Sequence, residues 1–362
     1  MQRIGIIGGG IVGALTAYFL KEAGFNDITI FDRQIGQATA ASAGIISPWL
    51  SKRRNQKWYH LANDGASLYP QIVKTAKITA AAYQQTGTII TRANSTTVEA
   101  LFALAQMRKI SAPMMQEIRI ISADEIMKMI PQTQINSAGV YISGGARIDG
   151  AQFVSEVNKY TQVKYINESV HLTANGKIEG YPEFDKIIVA TGAWLQETLI
   201  PLNYAVNVRP QKGQLIELID AQTITVKKQP VLMPEGESDF IPLGEGRIII
   251  GASHENDAGY DLKPTPIIKD YLLKSAQKIN PQLRHAQITK MRVGTRAYTP
   301  DFAPFFGYLP EYPNIYVASG LGSSGLTTGP MIAKLLAELI INRQTDISAY
   351  TKPISEYIKF KN

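Results

Sequence analysis

The chain has 362 residues, 45% hydrophobic and 19% charged, a globular composition long enough for about two domains, and no apolar run reaches the roughly eighteen unbroken residues of a membrane-spanning helix. It contains no cysteine, which excludes disulfides, iron–sulfur clusters, Cys-ligated zinc, a Cys nucleophile and a thioether link to a cofactor. Its four histidines, His60, His171, His254 and His285, include no pair at metal-ligand spacing, so no metal site is expected. The 37 basic and 30 acidic residues give a net charge of +7. The basic residues are scattered except at Lys52, Arg53, Arg54 and Lys57, a cluster expected to be a solvated face, with steering of an anionic substrate as the alternative.

Arg3 to Ile7 is a β-branched run of buried-strand type. It runs directly into Gly8-Gly9-Gly10-Ile11-Val12-Gly13, a G-x-G-x-x-G turn. Apolar residues at Val12, Leu15, Phe19 and Leu20 then share one helical face up to Gly24, and a second strand, Ile28 to Phe31, ends at Asp32. In this βαβ setting Gly8 makes the tight turn, Gly10 admits the backbone to a pyrophosphate and Gly13 lets helix and strand pack closely. The helix N-terminus at Ile11 and Val12 offers free N–H groups and a partial positive charge. Asp32, 24 positions beyond Gly8, is placed to accept the ribose hydroxyls of an adenosine; it would repel a 2′-phosphate, although Arg33 beside it points the other way. The same context argues against reading Met1 to Leu20 as a signal peptide, and a cytoplasmic location is expected. No Gly-Lys-Ser/Thr follows, so the turn is not a P-loop.

After the second strand, Ala40 to Ile46 is a small-residue turn against which a flat, bulky ligand can lie, making Ala41, Ser42, Ala43, Gly44 and Ile46 candidate contacts. Helix is expected between Gly65 and Pro131: one run through Ile72 to Tyr83, another from Val98 to Ile110, and a short helix to Ile130 opened by the capping box Ser122-Ala123-Asp124-Glu125. Val163 to Val170 reads as a strand, and Asn175-Gly176 turns the chain back. Lys186 to Val189 is a buried strand ending in Ala190, Thr191 and Gly192, with Trp194 just beyond. These residues and Val170 fall where parallel strands end and ligand crevices form. Leu215 to Leu218, Val231 to Met233, Phe240 to Leu243 and Arg247 to Ile250, with Gly244-Glu245-Gly246 as a hairpin turn, predict an antiparallel sheet covered by a helix over Thr265 to Ile279. Ile315 to Ser319 is a further strand leading through a glycine-rich stretch to a helix from about Met331 to Ile341. Gly322, Ser323, Ser324, Gly325, Leu326 and Thr327 approach this second helix N-terminus, some 314 positions from Gly8. One long ligand touching both ends of the chain is the economical explanation.

Met291 to Asp301 completes the pattern. With G-G-G-I-V-G at 8–13, S-A-G at 42–44, A-T-G at 190–192, R-P-Q-K-G-Q at 209–214, T-R-A-Y-T-P-D at 295–301 and A-S-G-L-G-S-S-G at 318–325, the chain resembles the FAD-dependent amine and D-amino-acid oxidoreductases, the group holding glycine oxidase, sarcosine oxidase and D-amino-acid dehydrogenase. The likeness covers nearly the whole chain. It implies an α/β fold in which a Rossmann-like FAD-binding domain (1–80, 141–206 and 293–362) is interleaved with an antiparallel-sheet substrate domain (81–140 and 207–292). It also implies oxidation of a small amine or amino acid (D-amino acid, glycine or N-methyl amino acid class) by hydride transfer to N5 of non-covalently bound FAD, with oxygen or another acceptor taking the electrons. Oxidase and dehydrogenase chemistry both fit.

Because the flavin performs the redox step, the protein supplies position and electrostatics. Arg296 falls in the segment where related amino-acid oxidases place a carboxylate-binding arginine, and its planar fork suits a carboxylate; the alternative is a structural pair with Asp301. Tyr298, two residues on, would share that strand face as a candidate hydroxyl donor. His254, beyond the Ile250 strand end, is a candidate acceptor of the ammonium proton. The chain departs from the family at Leu321, where some members have histidine, and at Ser323 or Ser324, where glycine-oxidase-like members have a second arginine. A two-arginine clamp is therefore not expected, and an amine without an α-carboxylate stays open. The competing readings are a flavoprotein acting on an aminomethyl group of a modified tRNA base and a non-catalytic dinucleotide-binding sensor. No basic stripe with interleaved aromatics marks a nucleic-acid partner.

Overall fold

The computed structural model describes residues 2–361 except Arg54, Thr225, Lys227, Glu237 and Arg343. In chain order it contains β1 (Arg3–Ile7), α1 (Ile11–Glu22), β2 (Asp27–Phe31), β3 (Ile45–Ile46), α2 (Gln56–Thr75), β4 (Tyr83–Gln84), β5 (Thr88–Thr91), α3 (Ser95–Lys109), β6 (Ile118–Ile121), α4 (Ala123–Met129), β7 (Gly139–Ile142), β8 (Ala146–Ile148), α5 (Gly150–Thr161), β9 (Lys164–Ile166) and β10 (Lys186–Val189). There follow α6 (Leu195–Leu199), β11 (Tyr204–Val206), β12 (Arg209–Ile219), β13 (Val231–Met233), β14 (Asp239–Gly244), β15 (Arg247–Gly251), α7 (Pro266–Ile279), β16 (Gln287–Tyr298), β17 (Phe305–Tyr308), β18 (Ile315–Ser319), α8 (Gly325–Ile341) and β19 (Ile358–Phe360).

Two sheets carry the architecture, as the α/β reading expected. The first has the order β17-β18-β10-β1-β2-β9, all parallel except β17. Its strands are almost wholly apolar because both faces are covered. Ile4, Ile6, Ile30 and Ile188 pack with α1, α2, α5 and α8, while Ile7, Phe31, Val189 and Val317 pack on the opposite side with α6 and Tyr357. The second sheet has the order β16-β12-β15-β14-β13-β5-β7-β6 and is antiparallel apart from the β13–β5 pairing. Strand alternation gives it two apolar faces. Ile216, Leu218, Phe240 and Ile250 meet α7, and Leu215, Val231, Ile241 and Ile249 meet Ala43 and Ile45 of the small-residue turn.

Three elements differ from expectation. α2 ends at Thr75, Lys77 turns the chain with φ +53°, and the stretch read as helix to Tyr83 gives way to β4 and β5; Thr88-Ile-Ile-Thr is a β-branched run recruited by non-local pairing to β7 and β13. The strand read over Val163 to Val170 shrinks to β9, leaving Val170 in a loop. α8 begins at Gly325, well before Met331, despite its internal Gly329 and Pro330. Pro330 cannot donate to the carbonyl of Leu326. The Tyr69 hydroxyl of α2 donates to that oxygen instead, so tertiary packing overrides local propensity.

Residues Gly322–Ile341 are long and apolar enough to cross a membrane, but 72% of that window is buried in the protein core. Tyr69→Phe leaves the Leu326 carbonyl buried without a donor, and the expected loss is about 1–3 kcal/mol of stability, read as a lower urea midpoint with an unchanged slope.

Candidate cofactor and substrate site

β1, β10 and β18 run parallel and end at one edge of their sheet. The turns that follow them, Gly8–Gly10, Ala190–Gly192 and Leu321–Ser324, line a cavity of about 800 Å³. α1 and α8 start at the same wall, so two helix N-termini with their positive dipole ends open onto it, the Ile11 N–H donating to Thr39 Oγ1 at 3.0 Å. The turn after β1 tolerates no side chain: a Cβ on Gly13 would lie 1.9 Å from the Gly8 carbonyl oxygen, and one on Gly8, with φ +105°, 2.4 Å from that of Ala190. Gly13 thus sits behind the wall as the contact that lets α1 approach β1.

Gly8, Gly10, Ile11, Val12, Asp32, Arg33, Ala41, Ser42, Ala43, Gly44, Val170, Ala190, Thr191, Gly192, Trp194 and all of Gly322–Thr327 line this one cavity. Ile46 does not. It pairs with Ala146 in β8 and is buried in the core, so Ile45 takes its place in the lining. The Asp32 carboxylate accepts from the backbone N–H of Gly9, from that of Gln34 at 2.5 Å and from Gln37 Nε2 at 2.7 Å, which fixes the glycine turn in place. The Arg33 guanidinium lies 4.9 Å from the centre of the Trp194 ring.

The opposite wall is the antiparallel sheet. The Arg296 side chain, from β16, crosses β12 over Gly213, where a Cβ would stand 2.7 Å from the guanidinium carbon. Nη1 donates to Gln211 Oε1 at 2.8 Å and to the Ser253 carbonyl at 2.9 Å, and lies 3.0 Å from His254 Nδ1. The alternative pairing with Asp301 does not form, since that carboxylate accepts from Lys352 Nζ at 2.8 Å and from the Tyr357 hydroxyl at 3.0 Å. Burial holds the Arg296 guanidinium below its ordinary value, with Tyr298 and Glu255 partly offsetting it.

His254 lines the cavity, its Nδ1 also 3.2 Å from Gln211 Oε1. Tyr298 does not: it is 4% exposed, and its hydroxyl accepts from the backbone N–H of Ser323 at 3.1 Å. β16 ends there beneath the turn into α8, so Tyr298 braces that turn and does not face the cavity.

Several lining residues carried no sequence signal for this place. Arg53 and Lys52, read as part of a solvated cluster, line the cavity. The Arg53 guanidinium lies 4.7 Å from the centre of the Trp58 ring, and burial lowers its pKa against the influence of the Tyr298 hydroxyl. Lys57 instead donates to the Ser348 carbonyl, and Arg54 lies outside the described residues. Arg92, His171, Glu235 and Asp239 also line the cavity.

Residues 3–339 match the DAO family, described as FAD dependent oxidoreductase. The chain belongs to this family. It is therefore an FAD-dependent oxidoreductase acting on the CH–NH group of amines or amino acids. This FAD-dependent oxidoreductase is 37% identical to the oxidoreductase YurR of Bacillus subtilis over 97% of this chain and 98% of that one, and 26% identical to a glycine oxidase of Pseudomonas aeruginosa over 95% and 96%. It superposes on the crystal structure of iminodiacetate oxidase from Chelativorans sp. BNC1 with a TM-score of 0.89 at 27% identity, covering 98% of both chains. The two helix N-termini and the glycine cradle fit a dinucleotide, and the non-catalytic sensor reading is set aside.

Proposed function

We propose that the enzyme oxidises a small amino acid whose carboxylate is held by Arg296. The observation that carries this reading is the state of that guanidinium. It is partly buried against neutral acceptors in the cavity, and among the described residues it has no carboxylate in an ion pair; the acid acting on it, Glu255, is taken up by Gln214 and Ser253. A cation removed from water without a counter-ion is costly, and an anionic substrate supplies the missing charge. Gly8, Gly10, Ile11 and Val12 would hold the cofactor's pyrophosphate, Asp32 its ribose, and Ala41–Gly44 with Gly322–Thr327 its flavin. The cofactor is held without a covalent bond, in keeping with the absence of cysteine and of histidine in the small-residue turn. When bound, FAD accepts the hydride from the carbon beside nitrogen, and oxygen or another acceptor removes the electrons. The domain division at 80, 140, 206 and 292 belongs to the same reading. So does a cytoplasmic location.

Arg53 favours a second form of this reading, a substrate with two carboxylates. It is a further partly buried cation on the cavity wall, with no carboxylate among the described residues acting on it, and one relative of high structural likeness is an iminodiacetate oxidase. The tRNA-base alternative has behind it a relative alike over only 42% of this chain.

Anaerobic bleaching of the flavin band by glycine, sarcosine, iminodiacetate and D-amino acids, each set against its decarboxylated amine, tests the substrate class. Arg296→Ala should lower kcat/KM for the best amino acid by an amount equivalent to about 2–5 kcal/mol and leave the amine nearly unaffected. Arg296→Lys should restore part of the loss, because an ammonium lacks the planar fork. Equal losses for acid and amine would make Arg296 a structural residue. Asp32→Ala removes charge-assisted bonds and should weaken FAD binding about ten-fold to a hundred-fold, measured by equilibrium dialysis of the apoprotein against FAD.

A further inference from the structure

An amine reaching this site is mostly protonated at neutral pH, and an ammonium nitrogen has no lone pair with which to form a C=N bond. At neutral pH the oxidation is therefore favoured by a proton acceptor beside nitrogen. Resting on the reading of Arg296 above, we propose that Asp239 is this acceptor: its carboxylate pairs with the substrate ammonium and takes one N–H proton before the carbon–hydrogen bond breaks.

Three observations carry the assignment. The first is availability. On the antiparallel-sheet wall, His254 Nδ1 is already engaged by the Arg296 guanidinium and Gln211. Glu235 accepts from the backbone N–H of Ala93 at 2.8 Å and is exposed. Asp239 lines the cavity, and among the described residues no hydrogen-bond donor or charge acts on its carboxyl group.

The second is position. β14 pairs with β15 at Asp239–Gly251, and β15 with β12 at Gly251–Leu215. Strand alternation then puts Asp239 on the same face as Leu215 and Gly213, and so on the face crossed by the Arg296 side chain. Two strand spacings, about 10 Å, separate β14 from β12; the Arg296 guanidinium already lies over β12, and the shorter Asp239 side chain faces the same space from β14. An α-amino acid hydrogen-bonded at both ends bridges what remains, its carboxylate toward Arg296 and its nitrogen toward Asp239.

The third is the surrounding medium. Leu215, Val231, Ile241 and Ile249, with Ala43, Ile45, Met233 and Ala252 against them, make this face apolar. Burial pushes the Asp239 carboxyl up to about 7. The charged or titratable groups lining the cavity besides Asp239 are Lys52 and Arg53 before α2, Arg92 after β5, Glu235 before β14, His254 after β15 and Arg296 on β16, together with Asp32 and Arg33 after β2, Glu168 and His171 after β9 and Glu197 on α6; the direction of the shift is set by burial alone. A carboxylate of this kind binds a proton at neutral pH yet releases it readily, as a turnover-competent acceptor must.

The balance is closed. One N–H bond breaks and an O–H bond forms on Asp239. Nitrogen keeps the electron pair, which becomes the second bond to carbon as the α-hydrogen and two electrons pass to FAD, the oxidant of the family reaction. Asp239 returns its proton to solvent before the next turnover.

Asp239→Asn, nearly isosteric, tests this in the FAD-loaded enzyme. α-Aminoisobutyrate has no α-hydrogen and is not oxidised; isobutyrate is the same acid without the amine. Binding of each, followed by the change it causes in the flavin band, should favour α-aminoisobutyrate by about thirty-fold or more in the parent and show no preference in Asp239→Asn. In anaerobic stopped flow the parent's bleaching rate should rise with pH through about 7. In the variant the rate at neutral pH should fall by about 10²–10⁴ and recover as pH passes the pKa of the substrate's own amine. A retained preference for the amine, an unmoved acid limb or a loss uniform across pH overturns the role of Asp239. Isobutyrate binding that survives Arg296→Ala overturns the carboxylate clamp instead, and leaves the amine preference to judge Asp239 by itself.

Discussion

The site depends on one close contact, the approach of α1 to β1 and β10 through the backbone of Gly8 and Gly13. With 1.9 Å between a hypothetical Cβ and a carbonyl oxygen, no other residue permits α1 to start level with the ends of β1, β10 and β18. Moving the helix out by the width of a methyl group would tilt its N–H groups away from the cavity and weaken the dipole contribution, which falls off within a turn. Asp32 secures the same contact from below, because its carboxylate accepts from Gly9 and Gln34. The loop that must be narrow is thus also the loop that is pinned.

β16 shows how the fold separates a structural arginine from an available one. Arg292 and Arg296 lie four residues apart on one strand and hence on one face. Arg292 is buried, which works against its charge, but it donates to Asp149 Oδ2 at 2.8 Å and to Glu217, and these two acids together hold its pKa above the ordinary value. It ties β16 to β12 and to the residue capping α5. Arg296 has neutral partners, and burial wins. The difference is supplied by the partners, since both residues are Arg on a partly buried strand, and only the second is left with charge to offer a ligand.

The parts legible in the sequence are those whose physics is local. The β1–turn–α1–β2 unit is set by neighbouring residues, and the capping box at Ser122 and Glu125 forms as its spacing requires. The start of α8 was hidden because glycine and proline oppose helix locally, while the group that rescues it, the Tyr69 hydroxyl, is 257 positions from Leu326. Arg53 looked solvated because its sequence neighbours are charged; the chain folds it onto Trp58 at the cavity wall. Tyr298 satisfied the period-two rule, yet its strand ends beneath another turn, and the rule says nothing about what covers a strand end. Asp239 carried no sequence signal for its place, and the register of β14 against β15 is what puts it on the cavity face.

The cavity is built from two walls of different chemistry. The parallel-sheet wall offers mainly backbone N–H groups and small side chains, which recognise phosphates and flat rings whatever the substrate. The antiparallel wall offers side chains on a regular lattice of strands, with Asp239, Gly213 and Arg296 on one face. A change of residue on that lattice alters the charge or reach presented to a substrate without moving a helix N-terminus, whereas a change at Gly8 or Gly13 moves the cradle itself. Substrate preference can therefore vary in this fold while the cofactor site stays fixed. The loop before α2 is a further such position, because Arg53 reaches from there the same cavity that Leu321, Ser323 and Ser324 line.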